Sequence, residues 1–180
     1  LLLNPQLNIL VVSASKNRAD DFSTFTLRLI NEIEVLAHLK PGDDQRQSKV
    51  SFDVKPARAS HAPSVKSLGI SGQMTGARSD LIISDDVESA NNSATMGMRD
   101  KLSEQVKEFE SIIKPGGRII FLGTMQTEMS LYNQLTTRGY KQRIWPARYP
   151  NEKQLKNFGD TLAPKIRNTW NIDIQGEPTD

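Results

Sequence analysis

The sequence contains no cysteine and only two histidines, His38 and His61. The lack of cysteine excludes disulfide bridges and metal sites built on thiolates. The two histidines are far apart in the sequence, and we interpret both as surface residues. Histidine and cysteine side chains therefore predict no metal cage in this chain.

Long apolar runs are also lacking. No stretch approaches the roughly 20 apolar residues that cross a bilayer, and the start lacks the basic and then apolar order of a signal peptide. We therefore expect a soluble, intracellular protein with no membrane partner. Charge of one sign is not in excess, since 23 basic and 21 acidic residues leave a formal charge of +2. Such a balance does not by itself indicate a nucleic-acid partner.

The chain has 180 residues, 37% of them hydrophobic, which suits one compact domain. It opens on Leu1-Leu2-Leu3 without a methionine and closes at Pro178-Thr179-Asp180. Both ends resemble cuts in a longer chain, so we expect further motifs to lie outside these residues.

Apolar β-branched runs alternate with amphipathic stretches. Strands are predicted at residues 8–13, 80–84, 118–122 and 140–145, with a small β insertion at 50–54 and 65–70. Helices are predicted at residues 16–39, 95–113 and 128–136, and a basic helix-like stretch lies around Lys153, Lys156, Lys165 and Arg167. The alternation predicts an α/β fold with a doubly wound, mainly parallel sheet, in which ligands bind beyond the carboxyl ends of the strands.

The strand predicted at 80–84 ends in Asp85 and Asp86, and Glu88 follows two residues later. In nucleotide hydrolases with a phosphate loop, a carboxylate at such a strand end holds Mg²⁺ and a neighbouring acid orients the attacking water. The pattern predicts Asp85 as the metal ligand and Asp86 as the catalytic acid, with Glu88 as the alternative acid. Capping of the following loop or helix is an equally common role for such acids.

Two other strand ends carry hydroxyl groups. Gly123 and Thr124 follow the strand at 118–122, where a threonine could sense the γ-phosphate of ATP and couple hydrolysis to movement; a plain helix N-cap at Thr124 is the more common role. Ser13–Lys16 could offer a hydroxyl, N–H groups and a lysine to a phosphate. Capping of the following helix is the more frequent role for Ser15.

Arg78 stands just before the acidic strand and could serve as an arginine finger, in its own subunit or in a neighbour. An exposed arginine, or one paired with Asp80, is an equally common explanation. The preceding loop lacks the Walker spacing and its lysine, so it is rejected as the phosphate loop. A later basic run could follow a DNA backbone, although a solvated face is the commoner explanation for it. This run comprises Arg138, Lys141, Arg143 and Arg148, interleaved with Tyr140, Trp145 and Tyr149.

Several long blocks, in order, closely resemble the large terminase subunit of short-tailed phages, also called DNA maturase B. They are NILVVSASKNRADD (residues 8–21), SVKSLGISGQMTGARSDLIISDDVE (64–88), NSATMGMRDK (92–101) and GTMQTEMSLY (123–132), and the resemblance extends through 144–147 to 176–180. It implies a RecA-like (ASCE) P-loop ATPase domain, with residues 1–146 as part of that domain and 147–180 as a lid or linker toward an RNase H-like nuclease.

The resemblance also implies roles for particular residues. Leu81–Asp86 corresponds to the Walker B segment, with Asp85 on Mg²⁺ and Asp86 as the catalytic acid. Gly123 and Thr124 correspond to the coupling motif. Because many relatives carry Asp-Glu at the acid pair, the choice between Asp86 and Glu88 stays open. The Walker A loop is expected before the first residue and the nuclease carboxylates after the last, so this segment alone is expected to be inactive.

The expected cofactors are ATP and Mg²⁺. The expected partners are double-stranded DNA, the portal protein, the small terminase subunit and further copies in a ring on the procapsid, all in the host cytoplasm. A class I methyltransferase-like domain, which binds S-adenosylmethionine, is the main alternative because IIKPGGRIIFLGT (residues 112–124) imitates that fold. A non-catalytic interaction domain is the third hypothesis. The paired acids, Arg78 and the hydroxyl of Thr124 speak against it.

Overall fold

A computed structural model describes residues 1–125 and 127–179 of the chain. They form two compact units, Leu1–Asn133 and Gln134–Asp180, which are described separately here. The sequence-based division at residue 146 concerns function, since it separates part of an ATPase domain from a lid or linker. It stays a prediction.

Five strands form one sheet in the first unit. They are β1 (Ile9–Ser13), β2 (Ser51–Phe52), β3 (Val65–Gly69), β4 (Ser79–Asp85) and β5 (Ile113–Leu122). The order across the sheet is β2-β3-β1-β4-β5. Neighbouring strands are parallel, except for the antiparallel pair of β2 and β3. The prediction of an α/β fold with a mainly parallel sheet is confirmed.

The register of the parallel strands brings their carboxyl ends together. Ser13 of β1 lies beside Gly69 of β3 on one side and Asp85 of β4 on the other. Asp85 in turn lies beside Leu122 of β5. Four chain segments therefore leave the sheet at one edge, which we call the carboxyl edge.

Helices alternate with these strands. They are α1 (Lys16–Glu32), α2 (Ala90–Ser93), α3 (Met96–Ile112) and α4 (Leu131–Thr137), and a 3-10 helix at Glu34–Leu39 follows α1. The α-helix predicted over 16–39 is therefore confirmed up to Glu32 and wrong beyond it, because Ile33 adopts an extended conformation with φ −92° and ψ 116°. The apolar spacing continues through this break, so periodicity alone does not reveal it.

The strands predicted at 50–54 and 65–70 do not form a separate insertion. β2 and β3 extend the main sheet, and their apolar side chains join one core cluster with β1, α1 and the 3-10 helix. Its buried members are Val11, Ile30, Leu39, Phe52, Val54 and Val65. Burial of this cluster is the main reason why the edge formed by β2 and β3 stays attached, since apolar burial stabilises by about 25 cal/mol per Å².

α3 matches its prediction closely. The Thr95 hydroxyl accepts a hydrogen bond from the Met98 N–H at 3.3 Å and caps the helix. Leu102, Val106, Phe109 and Ile112 form its buried face. β5 starts directly after the helix, earlier than the predicted residue 118, and residues 114–117 are accommodated by an irregularity in its pairing with β4.

The second unit is mostly helical. It contains α5 (Glu152–Phe158) and α6 (Pro164–Thr169), with short 3-10 helices at Gly159–Thr161 and Ile172–Ile174. Its core consists of Leu162, Ala163 and Ile166, packed against Tyr149, Leu155 and Phe158. The prediction of helices in this basic stretch is confirmed.

The strand predicted at 140–145 is wrong. Ile144 makes a single parallel bridge to Leu162, through hydrogen bonds of 2.7 and 2.9 Å with Thr161 and Ala163. The pairing cannot lengthen, because Pro164 begins α6 directly afterwards. Among the described residues, no helix combines the length and the apolar character that crossing a membrane requires.

Candidate functional site

The turn from β1 into α1 lies tightly against β3 at the carboxyl edge. A Cβ atom on Gly69 would lie 2.8 Å from the backbone nitrogen of Lys16, so only glycine fits there. The Ser15 side chain accepts the Arg18 N–H at 3.4 Å and caps α1, the role that the sequence favoured. Its predicted contribution to a cofactor site stays a prediction.

Asp86 joins three strand ends through its backbone. Its N–H donates to the Leu122 carbonyl at 2.9 Å, and its own carbonyl accepts from the Ala14 N–H at 3.3 Å. Asp86 also has φ 45°, in the left-handed region that side chains other than those of glycine, asparagine and aspartate rarely adopt. Such strain concentrates at functional sites, and here it turns the chain sharply after β4.

Asp85 and Asp86 form an acid pair at this turn. Burial, followed by the negative charge of Asp86, raises the pKa of Asp85, and the positive charge of Arg18 lowers it in part. The Arg18 guanidinium lies 3.7 Å from the Asp86 carboxylate, and both side chains are largely exposed, so this ion pair is weak. The turn therefore concentrates negative charge that a bound cation would relieve.

Sequence reasoning missed Arg18 as a neighbour of the acids. The available signal was its position in the first turn of the helix that starts beside the predicted acidic strand end. Lys16, by contrast, pairs with Asp20 at 2.5 Å within α1. Burial raises the pKa of Asp20, but hydrogen bonds from Lys16 and Ser67 outweigh it, so the net pKa lies below the usual range.

Glu88 is buried, with 4% of its surface exposed, and its carboxylate lies in a hydrogen-bond network. Its Oε2 accepts from the Ser130 hydroxyl at 2.6 Å and from the Leu131 N–H at 2.8 Å. The Tyr132 N–H donates to the same Ser130 hydroxyl at 3.3 Å. Glu88 therefore binds the start of α4. No signal in the sequence identified Ser130 and Tyr132 as members of its hydrogen-bond network.

Gly123 lies under the ring of Tyr132. A Cβ atom on Gly123 would lie 2.8 Å from Cε2 of Tyr132 and closer still to Cζ and the phenol oxygen. The Tyr132 hydroxyl donates to the Leu122 carbonyl at 3.3 Å, and burial is the main cause that raises the pKa of Tyr132 to about 12. Thr124 follows on the surface. Because α4 begins only at Leu131, Thr124 is not the N-cap of that helix.

Two serine hydroxyls at the carboxyl edge are buried without a hydrogen-bond partner among the described residues. They belong to Ser13 at the end of β1 and Ser84 on β4, which are 2% and 0% exposed. Buried polar groups are normally satisfied, so these two mark a place where the site is open to further polar contacts.

Arg78 lies at the other end of β4. Its guanidinium donates to the carbonyls of Ala77 and Ser111, while Asp80 pairs with Lys114 at 2.9 Å. β4 has 7 residues, which at about 3.3 Å each separate Arg78 from the acid pair by about 20 Å. Arg78 lines a cavity of about 310 Å³ at that end. The sheet therefore does not bring Arg78 to the acids of its own subunit.

The exposure of the two histidines agrees with their interpretation as surface residues. His38 and His61 are both exposed, as expected. Within the described residues, no group of three or more histidine, cysteine, aspartate or glutamate side chains could hold a metal ion. A cation at the carboxyl edge would therefore be coordinated by one or two carboxylates and by the phosphates of a bound substrate. This is the usual arrangement for Mg²⁺.

No protein family matches the chain in a comparison with known families. The chain is 51% identical, over 184 aligned positions that include 98% of its residues, to a curated protein named "Terminase, large subunit" from Enterobacteria phage T3. The resemblance to the phage large terminase subunit is confirmed. The chain spans 31% of the length of that terminase relative. The name of the relative supports the terminase hypothesis and gives no support to the methyltransferase hypothesis.

Proposed function

We propose that this chain is part of the ATP-hydrolysing motor of a large terminase, which packages double-stranded DNA into a procapsid. The observation that carries the proposal is the acid pair at the sharp turn after β4. Asp85 and Asp86 stand at the carboxyl edge of a parallel sheet, where nucleotides bind in this class of fold. The 51% identity to a terminase large subunit supports the same conclusion.

The acid pair fits a magnesium ion. The raised pKa of Asp85 reflects negative charge in a partly buried place, which a cation would stabilise. Asp85 would hold Mg²⁺, and Asp86, half-exposed beside it, would orient the attacking water. When bound there, the ion would supply positive charge against the phosphate oxygens of ATP.

The remaining predicted residues lie at different distances from the acid pair. Ser15 and Gly123 follow strands that end at the same edge as the acids, and Thr124, next to Gly123, would sense the γ-phosphate. Arg78 lies at the far end of β4, so it would act on the ATP of a neighbouring subunit. Such an arrangement requires copies of the protein to stand in a ring.

β5 supports the proposal of a RecA-like P-loop fold that continues beyond this chain. It is the last strand in the sheet order, and Ile120 and Leu122 are 43% and 50% exposed on it. Exposed apolar residues on the last strand of a sheet favour the addition of a further strand. The strand that carries the Walker A loop would pair there, beside the acid pair.

The whole motor would need further parts and partners. We infer that residues 1–146 belong to its ATPase domain and that residues 147–180 form a lid or linker toward a nuclease that cuts DNA concatemers. The partners would be DNA, the portal protein, the small terminase subunit and further copies on the procapsid, in the host cytoplasm. The segment alone would be inactive, because ATP hydrolysis needs the Walker A lysine.

The test is ATPase turnover of the full-length protein, with and without Mg²⁺ and double-stranded DNA. Asp85→Ala and Asp86→Asn are each expected to reduce turnover by about 10²-fold or more, as for the loss of a positioned catalytic group. Asp100→Asn is the matched control, since Asp100 is an exposed acid on α3. Unchanged turnover in both acid variants would contradict the proposal.

A further inference from the structure

Glu88 is a buried carboxylate with two hydrogen-bond donors and no ion pair among the described residues. A buried charge is costly unless hydrogen bonds satisfy it, and the donors here are the Ser130 hydroxyl at 2.6 Å and the Leu131 N–H at 2.8 Å. Both groups donate to the same oxygen, Oε2. The other oxygen, Oε1, is buried without a hydrogen-bond partner among the described residues.

The contacts of Glu88 belong to a closed path of hydrogen bonds. From Glu88 the path runs through Ser130 to Tyr132, and from the Tyr132 hydroxyl to the Leu122 carbonyl. The same carbonyl accepts the Asp86 N–H at 2.9 Å, which returns the path to the segment that carries Glu88. The end of β4, the end of β5 and the first turn of α4 are thus linked to one another.

This geometry differs from that of a catalytic acid. Asp86 is half-exposed and adjacent to Asp85, whereas Glu88 is 4% exposed and its Oε2 is occupied by two donors. A residue that activates water needs access to that water. Among the described residues, the Glu88 carboxylate instead accepts hydrogen bonds from Ser130 and Leu131, where α4 begins.

We infer that Glu88 is a positioning residue, which transmits changes at the acid pair to α4 and so couples the nucleotide site to the segment that follows. This inference depends on the proposed ATPase function. The unpartnered Oε1 gives the carboxylate a second acceptor, so a small shift of the turn at Asp86 can exchange one set of donors for another.

The experiment compares Glu88→Gln, Ser130→Ala and the double variant in the full-length protein. Glu128→Gln is the control, since it makes the same chemical change on an exposed carboxylate two residues before Ser130. The readouts are basal Mg²⁺-dependent ATP turnover, its stimulation by double-stranded DNA, and the thermal midpoint of unfolding. Hydrogen exchange at the Leu131 N–H, with and without Mg²⁺ and ATP, reports on the network directly.

We expect Glu88→Gln and Ser130→Ala to keep basal turnover within about threefold of wild type and to lower DNA stimulation by about tenfold. The double variant is expected to lose no more than either single variant, because both changes interrupt one path. Nucleotide is expected to change exchange at the Leu131 N–H in the wild type and not in Glu88→Gln.

Three results would overturn the inference. Loss of basal turnover in Glu88→Gln equal to that in Asp86→Asn would make Glu88 the catalytic acid. A parallel fall of basal turnover, stimulation and thermal midpoint would show a purely structural role. Absence of Mg²⁺-dependent turnover in the wild type would instead refute the proposed function, and the coupling role with it.

Discussion

Replacing Gly123 by alanine is the sharpest test of the packing at the carboxyl edge. The new Cβ atom would lie 2.8 Å from Cε2 of Tyr132 and still closer to Cζ and the phenol oxygen. Tyr132 is only 8% exposed, and its neighbours Leu131 and Ser130 are held by Glu88. The ring has to move, and its hydrogen bond to the Leu122 carbonyl breaks.

The expected cost follows from three contributions. Overpacking costs about 1–3 kcal/mol, and the lost hydrogen bond about 0.5–1.5 kcal/mol. The φ of Gly123 lies outside the left-handed region, so alanine also lowers the entropy of the unfolded chain and returns about 0.4–1 kcal/mol. We therefore expect Gly123→Ala to lower the free energy of unfolding by about 0.5–4 kcal/mol, as measured by urea denaturation followed by circular dichroism.

Two further variants separate the clash from other causes. Gly97→Ala, in α3, meets no atom within 4 Å of its new Cβ and is expected to stabilise the protein by about 0.5–1 kcal/mol. In a Tyr132→Leu background, where the clashing ring is gone, Gly123→Ala is expected to cost close to nothing. If its cost is the same in both backgrounds, the clash with Tyr132 is not the reason.

Two other predictions concern charge and backbone strain. Burial raises the pKa of Asp80, but the Asn8 N–H and the Lys114 ammonium outweigh it, so the net pKa lies below the usual range. The stability that this gives is therefore present above about pH 4 and is lost as the pH falls through the lowered pKa. Asp80→Asn is expected to lower the free energy of unfolding by about 1–3 kcal/mol at pH 7 and to weaken its decrease at acid pH. Wild-type and variant curves of unfolding free energy against pH that run parallel would contradict this. At the φ of 45° of Asp86, glycine is expected to be about 1 kcal/mol more stable than alanine in urea denaturation, and equal stability would rule out backbone strain there.

The sequence predicted the main elements because strong local signals coincide with burial. The runs before Ser13 and Asp85 are apolar and β-branched, and the structure places both in the interior of the sheet. Thr95 caps the start of α3, because its side chain acts on the backbone directly. The helix ends at Ile112, before the Pro115–Gly117 breakers, because Ile113 already adopts an extended conformation. The resemblance to terminases is carried by whole blocks, and 51% identity confirms it.

The errors occurred where a partner far along the chain decides the outcome. The segment ending at Trp145 has alternating residues, yet it finds only one bridge, at Leu162, before Pro164 starts a helix. The order of strands is likewise invisible locally, so the central place of β1 could not be predicted. Within the site, the acid pair could be proposed from sequence spacing, but the burial of Glu88 depends on Ser130, 42 residues later.

An isolated preparation of this chain would expose the edge of the sheet at β5 to solvent and to other molecules. β5 is the last strand in the sheet order, and its half-exposed Ile120 and Leu122 favour strand addition. When no other strand covers this edge, a second molecule of the same chain can pair along it. Self-association of an isolated preparation would then rise with protein concentration, and lysine placed at Ile120 would suppress it.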